Sequence, residues 1–496
     1  MPRLLLSALL ISASAFGGEK VEVLRDQFGI PHIYARTAAG AAFGSGYAQA
    51  ADRGAQLLEN LKTASASPTP APLSVEMRAI VQAYCAGIEA YLAETGRAER
   101  VEPSMVQAFS RAAFGLFADS NDILIAPSRS RDKTPIAILA PIGAWSGASR
   151  LYSLDLNISG SPEGRDGFEF AGALPVGVPF PLLGHSATVA IAAHGQGPAG
   201  DRALDEAWDL IASKNVEAAK HALTMGQFPA QKFLIADAEG AIYDSHSHVA
   251  NPPEGILTTG GGAPQAAAMT RELIGSARTF SLESAESLAL ATDVYKAETW
   301  QLRIAHLGLD SEFVRMLTGW SRRADAGSRG ALAFYLFKMA LDESSSALEP
   351  PASLSDDRVR AAVRKAQDRL ETEFPVDAGW GALFRTIRDG ARRSWPVSGG
   401  TVIAAGMATP LAIAFEQPGT RMLARGGLAM LEVVEFSKPV RSVIMTPFGE
   451  SDSPESPHFD DQARELFSRS SAAPSWFADR KNLEKHSKDR RELTFP

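Results

Sequence analysis

Cysteine is nearly absent: Cys85 is the only one in 496 residues. No internal disulfide can therefore staple the chain, even in an oxidising compartment. Cys85 lies in VEMRAIVQAYCAGIEAYLAE (75–94), where the apolar spacing predicts a helix. No catalytic motif surrounds it, and it reads as a small buried apolar residue. A basic excess is also missing. The net charge of −8 and pI of 5.7 argue against a nucleic-acid binder, and the one dense charge run, RKNLEKHSKDRR (480–491), reads as a solvated end. No apolar run approaches the roughly 20 residues of a membrane span. There is no G-x-S-x-G, which argues against a nucleophile elbow.

What remains is ordinary globular composition, 45% hydrophobic and 21% charged, and enough chain for a large core or several domains. The start, MPRLLLSALLISASAFGG, resembles a secretory signal over residues 1–15. Arg3 is basic, Leu4–Ile11 is apolar, and Ala13-Ser14-Ala15 gives a small-x-small cleavage site. A periplasmic or secreted protein is expected. Two short strands around a turn at Asp26–Gly29 are predicted over 21–35, then helices over 37–64 and 75–94 and a helical lead over 101–119. SPTPAP (67–72) reads as a linker. From residue 120 strand signals dominate: DILIA, PIAILAP, ATVAIAAH and KFLIADAEGAIYD. Helix returns over 281–345, strands over 395–450 (TVIAAG, LAMLEVVEFS, SVIMTPF), and helix from His458. The chain has no internal repeat. The pattern is α+β.

Chemistry-bearing residues are sparse. FADSNDILIAPSRSRDKTPIAILAPIGAW (117–145) puts Ser120 at the head of a hairpin, with Asp119 the acid just before it and no His or Cys nearby. Ser120 is either an ordinary turn residue or, if the chain is cut before it, a nucleophile carrying its own α-amine as base. Ser130-Arg131-Asp132-Lys133 matches S-x-x-K but sits in a charged turn, where the match is fortuitous. Asp244, His246 and His248 alternate along an apparent strand. A period of two would place them on one face, as metal ligands or as a polar edge. GHSATVAIAAHGQGPAG (184–200) runs a strand into a Gly-rich loop that could offer N–H groups to an anion.

Together these pieces resemble the penicillin acylase family, which includes acyl-homoserine-lactone acylases. The resemblance rests on Asp26, Gly29, Pro31-His32-Ile33, Gly46-Tyr47-Ala48-Gln49-Ala50 and Asp52-Arg53. It continues through Ala83-Tyr84, Ala86-Gly87, Ser120-Asn121, Gly184-His185, QKFLIADAEG (231–240), Trp380-Gly381 and Gly399-Gly400. It closes on Gly449-Glu450-Ser451 and SPHFDDQ (456–462). It implies an N-terminal-nucleophile hydrolase with a four-layered αββα core. The precursor would be cut before Ser120 into a mostly helical segment, 16–119, and a segment 120–496 that carries the core and a helical insertion around 281–370. Ser120 would be nucleophile and α-amine base, its amine near pKa 7.7–8. Gly195 would give the oxyanion N–H, and Arg278 would support the second oxyanion position. There the family's asparagine is replaced by Gly261, or by Gly262 in a register one residue along. Asp119 stands where a small residue is usual, and Ile142 where the family has Gln or His. The loop that holds calcium in some relatives is thin here (Asp201, Asp205), so no cofactor is expected.

Three readings follow. The first is a hydrolase of linear acyl amides, a heterodimer of two chains from one precursor, acting on a small molecule and engaging neither nucleic acid nor membrane. The second is an inactive relative that binds acylated ligands. The third is a metal-dependent hydrolase using Asp244, His246 and His248.

Overall fold

The structure, a computed structural model, describes residues 18–64, 71–160, 166–390, 393–417, 420–487 and 489–496. The signal-like segment and part of the SPTPAP linker lie outside these residues. The chain opens with the hairpin β1 (Glu19–Arg25) and β2 (Pro31–Ala35), then α1 (Ala38–Ala64), α2 (Val75–Glu94) and α3 (Pro103–Ala113). Next come β3 (Asp119–Ser120), β4 (Ile123–Ile125), β5 (Ile136–Leu139), β6 (Pro141–Ala144), β7 (Leu151–Gly160), β8 (Asp166–Pro175), β9 (Leu183–His185) and β10 (Val189–Gly195). Helices α4 (Ala203–Ile211) and α5 (Val216–Ala222) lead to β11 (Gln231–Asp237), β12 (Ile242–Asp244), β13 (Val249–Ala250) and β14 (Ile256–Thr258). A helical run follows: α6 (Pro264–Ser276), α7 (Leu282–Ala289), α8 (Ala297–Ala305), α9 (Glu312–Thr318), α10 (Arg329–Ala340), α11 (Asp356–Glu373) and α12 (Trp380–Leu383). The last strands are β15 (Phe384–Thr386), β16 (Trp395–Pro396), β17 (Ile413–Glu416), β18 (Met422–Leu428), β19 (Leu431–Glu435), β20 (Arg441–Met445), β21 (Ala473–Pro474) and β22 (Asp489–Phe495). Two short helices, α13 (Asp461–Glu465) and α14 (Arg480–His486), lie among them.

Side-chain alternation shows the layering. In the second sheet, ordered β14-β4-β5-β19-β20-β21, Leu124, Ala137, Leu139 and Val434 join one buried cluster, with the first sheet and α1 to α5. Their neighbours Ile123, Ile125, Ile136, Ile138, Leu431 and Val433 join the other, with the helices after α6. A period of two sends alternate residues to opposite faces, so the layers run helices, sheet, sheet, helices. This is the expected αββα arrangement within an α+β fold. The first sheet has ten strands among the described residues, β13-β12-β11-β10-β9-β8-β7-β2-β1-β22. The third, β16-β15-β18-β6-β3 with β17 on β18, continues from the second through Ala140, the single residue between β5 and β6.

The helical and strand signals over 21–139 land on the elements predicted from them. Three later expectations are corrected. TVIAAG is not a strand: Ile403–Ala405 is a single tight turn ending at Gly406 in the left-handed region. The tail is not wholly helical, because β22 pairs with β1 through seven residue pairs, from Glu19↔Phe495 to Arg25↔Asp489. The charged run is accordingly an edge rather than a free end, with Arg480 and Arg490 paired to Glu22 and Arg491 to Glu94.

The N-terminal and C-terminal motifs meet in space. Arg53, where α1 departs from helical geometry, turns inward and donates through Nε to the Glu450 carbonyl (2.7 Å) and through Nη2 to its carboxylate (3.1 Å). The Asp452 amide donates to the Asp52 carbonyl at 2.8 Å. Helices α1 and α2 approach closely because Gly46 and Gly87 carry no Cβ. One added at Gly87 would lie 2.0 Å from the Phe43 carbonyl oxygen, and one at Gly46 would lie 2.2 Å from that of Tyr84. Neither contact can yield without moving backbone. Gly87→Ala is expected to lower stability by about 1–3 kcal/mol through overpacking, read as a lower urea midpoint with an unchanged slope.

Candidate active site

Strand β4 pairs with β14 in the register Ile123↔Thr258, which carries the loop 259–262 alongside Ser120. Strand β3 pairs with β6, Asp119 opposite Ile142 and Ser120 opposite Pro141. Ser120 is fully buried. Its hydroxyl donates to Thr259 Oγ1 at 3.2 Å. Its carbonyl accepts from the Thr259 hydroxyl at 2.5 Å and the Gly261 amide at 3.0 Å. Thr259 Oγ1 in turn accepts from the Asp122 amide at 3.0 Å.

Asp119 bridges two backbone groups. Its Oδ1 accepts from the Ser120 amide at 2.9 Å and its Oδ2 from the Gly262 amide at 2.6 Å. A Cβ at position 261 would lie 2.0 Å from Asp119 Oδ1 and 2.2 Å from the Ser120 carbonyl oxygen. The residue before the serine and the bare glycine at 261 are therefore two sides of one contact: an asparagine at 261 does not fit the uncut chain. Ile142 lies across β6 beside the same loop, its Cδ1 3.6 Å from where a Cβ of Gly262 would stand.

Gly195 ends β10 and its amide donates to the Phe117 carbonyl at 2.7 Å. The Phe117 ring is buried and, with Phe114, Leu174, Val178, Phe180 and Leu183, walls an apolar cavity of about 30 Å³. The segment just before Ser120 thus forms part of the cavity wall and engages the Gly195 amide. His194, next to Gly195, has its pKa lowered by burial and by Lys232, with Asp119 acting the other way.

Asp122 is buried too. Its Oδ1 accepts from the Ala140 amide at 2.7 Å. Burial pushes its pKa up to about 6, against the pull of the Ser120 hydroxyl and the Ala140 amide.

Ser120, Asp119 and Gly261 come together directly, and Gly195 joins them through Phe117. Arg278 does not: it is exposed, its carbonyl accepts from Arg129 Nε at 3.2 Å, and the thirteen residues of α6, roughly 20 Å of helix, separate it from the 259–262 loop. Asp201 and Asp205 face Arg111 and Arg202. Ser130 is buried in a bridge to Phe280. The metal reading is corrected. Only Asp244 is in a strand; His246 and His248 lie in the following turn, with His248 at φ 55°. The His246 amide bonds back to Asp244 Oδ1 at 2.8 Å. A turn breaks the alternation that one shared face required, and no group of three metal-ligating side chains occurs among the described residues. Thr259 and Phe117 were not singled out from the sequence. Thr259 has one sequence signal, its place two residues before the departed asparagine; Phe117 has none, because Gly195 and most of the cavity wall lie over fifty residues away.

A model of the penicillin amidase family matches residues 20–67, 98–194 and 243–482. Among solved structures, a thermostable penicillin G acylase from Alcaligenes faecalis is similar at a TM-score of 0.47 and 12% identity, over 76% of this chain and 100% of that one. No curated protein matches the chain.

The Asp122 carboxyl generates a pH prediction. Its folded pKa of about 6 exceeds the ordinary value near 3.9. Its contribution to stability is complete below about pH 4 and is lost as pH rises through 6. Asp122→Asn keeps the oxygen that Ala140 needs and does not titrate. Wild type is expected to lose stability relative to this variant between pH 4 and 7, by up to about 3 kcal/mol, measured as the difference between urea midpoints across the series.

Proposed function

Since the chain belongs to the penicillin amidase family, we propose that it hydrolyses linear amides joining an apolar acyl group to an amine. The nucleophile is Ser120, exposed when the Asp119–Ser120 peptide bond is broken. The observation that carries this reading is the arrangement just before Ser120: the Phe117 ring in the wall of the apolar cavity, its carbonyl on the Gly195 amide, and Ser120 three residues on. Release of this segment opens a pocket for an acyl chain beside an N–H donor and a free N-terminal serine.

In this reading the Ser120 α-amine, with an ordinary pKa of about 7.7–8, takes the Oγ proton as Oγ attacks the amide carbonyl. The Gly195 amide donates to the developing oxyanion. The acyl-enzyme forms as the amine passes the proton to the leaving nitrogen, and water then releases the acid. The family's second donor is an asparagine side chain that this chain lacks, and loss of one such donor typically costs about 10²–10³ in rate. The Gly262 amide, which holds a carboxylate oxygen of Asp119 in the uncut chain, is freed by the same cut and takes the second donor's place. Thr259, in contact with both oxygens of Ser120, positions the nucleophile. The heterodimer of 16–119 and 120–496, and export from the cytoplasm, belong to the same proposal.

The bridge that Asp119 makes from the Ser120 amide to the Gly262 amide favours a second reading, in which the chain stays uncut and binds acylated ligands. Intact mass separates the two. Wild type expressed from its full sequence is expected as two chains, the larger beginning SNDILI, and Ser120→Ala as one. Processed protein is then expected to release amine from acyl amides with apolar acyl chains. A single uncut chain in both preparations would remove the acylase reading and leave the binding protein.

A further inference from the structure

A second recess lies away from the Phe117 cavity and shares no lining residue with it. It encloses about 590 Å³ between the end of β6, the strand β18 and the loop 448–459, within the size range of small-molecule sites. Arginines dominate its wall: Arg53, Arg150, Arg388 and, at the rim, Arg425. The inner three share two direct carboxylate partners. Arg53 faces Glu450 at 3.1 Å. Arg150 and Arg388 both close on the single carboxylate Oδ1 of Asp452. Arg150 and Arg388 thus share one carboxylate in a largely buried setting, where incomplete charge compensation is costly. At the rim Arg425 reaches Glu416 and Asp389 at 3.6 and 3.5 Å, both well exposed and screened by solvent.

The guanidiniums are also held in place. Arg150 Nη2 donates to the Gly449 carbonyl at 2.6 Å and Arg388 Nη1 to the Ser451 carbonyl at 2.5 Å. The Arg388 guanidinium stacks 4.0 Å over the Phe459 ring, and that of Arg150 lies 6.0 Å from the centre of Phe448. Burial, then the neighbouring Arg53 and Arg388 charges, hold the Arg150 pKa well below its ordinary value. Burial and Arg53 bring Arg388 down to about 10. Fixed, crowded cations beside aromatic rings suit a planar oxyanion on an apolar body, since a guanidinium fork matches a carboxylate and an apolar body packs on the rings.

We propose that this arginine-lined cleft is a binding site for a small organic carboxylate, separate from the Ser120 site.

The test uses phthalate, an aromatic dicarboxylate without an amide, titrated calorimetrically into the full-length Ser120→Ala protein. In that uncut form the cavity beside Phe117 holds only about 30 Å³, too little for phthalate, so any heat comes from elsewhere. The key variant is Gly147→Asp. Gly147 lines the cleft, has φ of 63°, and has no atom within 4 Å of an added Cβ. Asp and Asn both tolerate that backbone region, so Gly147→Asp adds a carboxylate to the cleft and Gly147→Asn adds the same bulk without charge. One phthalate per chain is expected. Affinity should fall about tenfold or more in Gly147→Asp and in Arg150→Gln, consistent with loss of a charge-assisted contact, and persist in Gly147→Asn. Benzene-1,2-dimethanol, the uncharged analogue, is not expected to bind. A phthalate Kd weaker than about 1 mM, or an affinity unchanged by Gly147→Asp, would overturn the proposal.

Discussion

The carbonyl oxygen of Ser120 accepts from two groups of one loop, the Thr259 hydroxyl and the Gly261 amide. Much of the centre follows from that pair of bonds. They tie the two-residue strand β3 to the loop that β14 delivers through its register with β4, and so join the second and third sheets where a buried serine sits. A neutral hydrogen bond contributes only about 0.5–1.5 kcal/mol net. The larger effect is geometric: with the carbonyl so held, the space at position 261 is taken, and only hydrogen fits there.

Two departures from the family pattern then become one. Asp119 in place of a small residue and Gly261 in place of asparagine look independent along the chain, 142 positions apart. In space the Asp119 carboxylate stands where a side chain at 261 would go. The carboxylate also gathers the Ser120 and Gly262 amides, one on each oxygen, so two backbone N–H groups converge beside the buried serine.

Much of the fold was legible where local pattern and burial agree. The Ala-rich 3.6 spacing over 37–64 and the alternating apolar runs at 123–125 and 136–139 sit where packing keeps what propensity favours. The failures have specific causes. TVIAAG has strand-like residues, but Gly406 takes the left-handed region and closes a tight turn instead. The tail 489–495 is highly charged and reads as solvated, yet its backbone is recruited by the open edge of β1, and edge pairing uses main-chain groups that composition does not reveal. DSHSH alternates on paper, but a turn starts after Asp244. In the candidate site, Ser120 and Gly195 were legible through motif order. Phe117 was not, because its role depends on partners distant in sequence. Arg278 matched a motif and lies on the surface.

The order of strands in the first sheet bears on how such a molecule can be made. Strands β2 and β1 lie between β7 on one side and β22 on the other. A pair that precedes Ser120 in the chain is thus inserted between two strands that follow it. Neither part could complete this sheet alone: the later part would leave a two-strand gap inside it, and the earlier part would present a hairpin with both edges bare, which is marginal in water. A break at residue 119 is therefore compatible with assembly only if it comes after the sheet has closed. Continuous synthesis keeps the hairpin and its gap at high effective concentration, and in a chain cut there the finished hydrogen-bond ladder, rather than the peptide bond, would hold the two parts together.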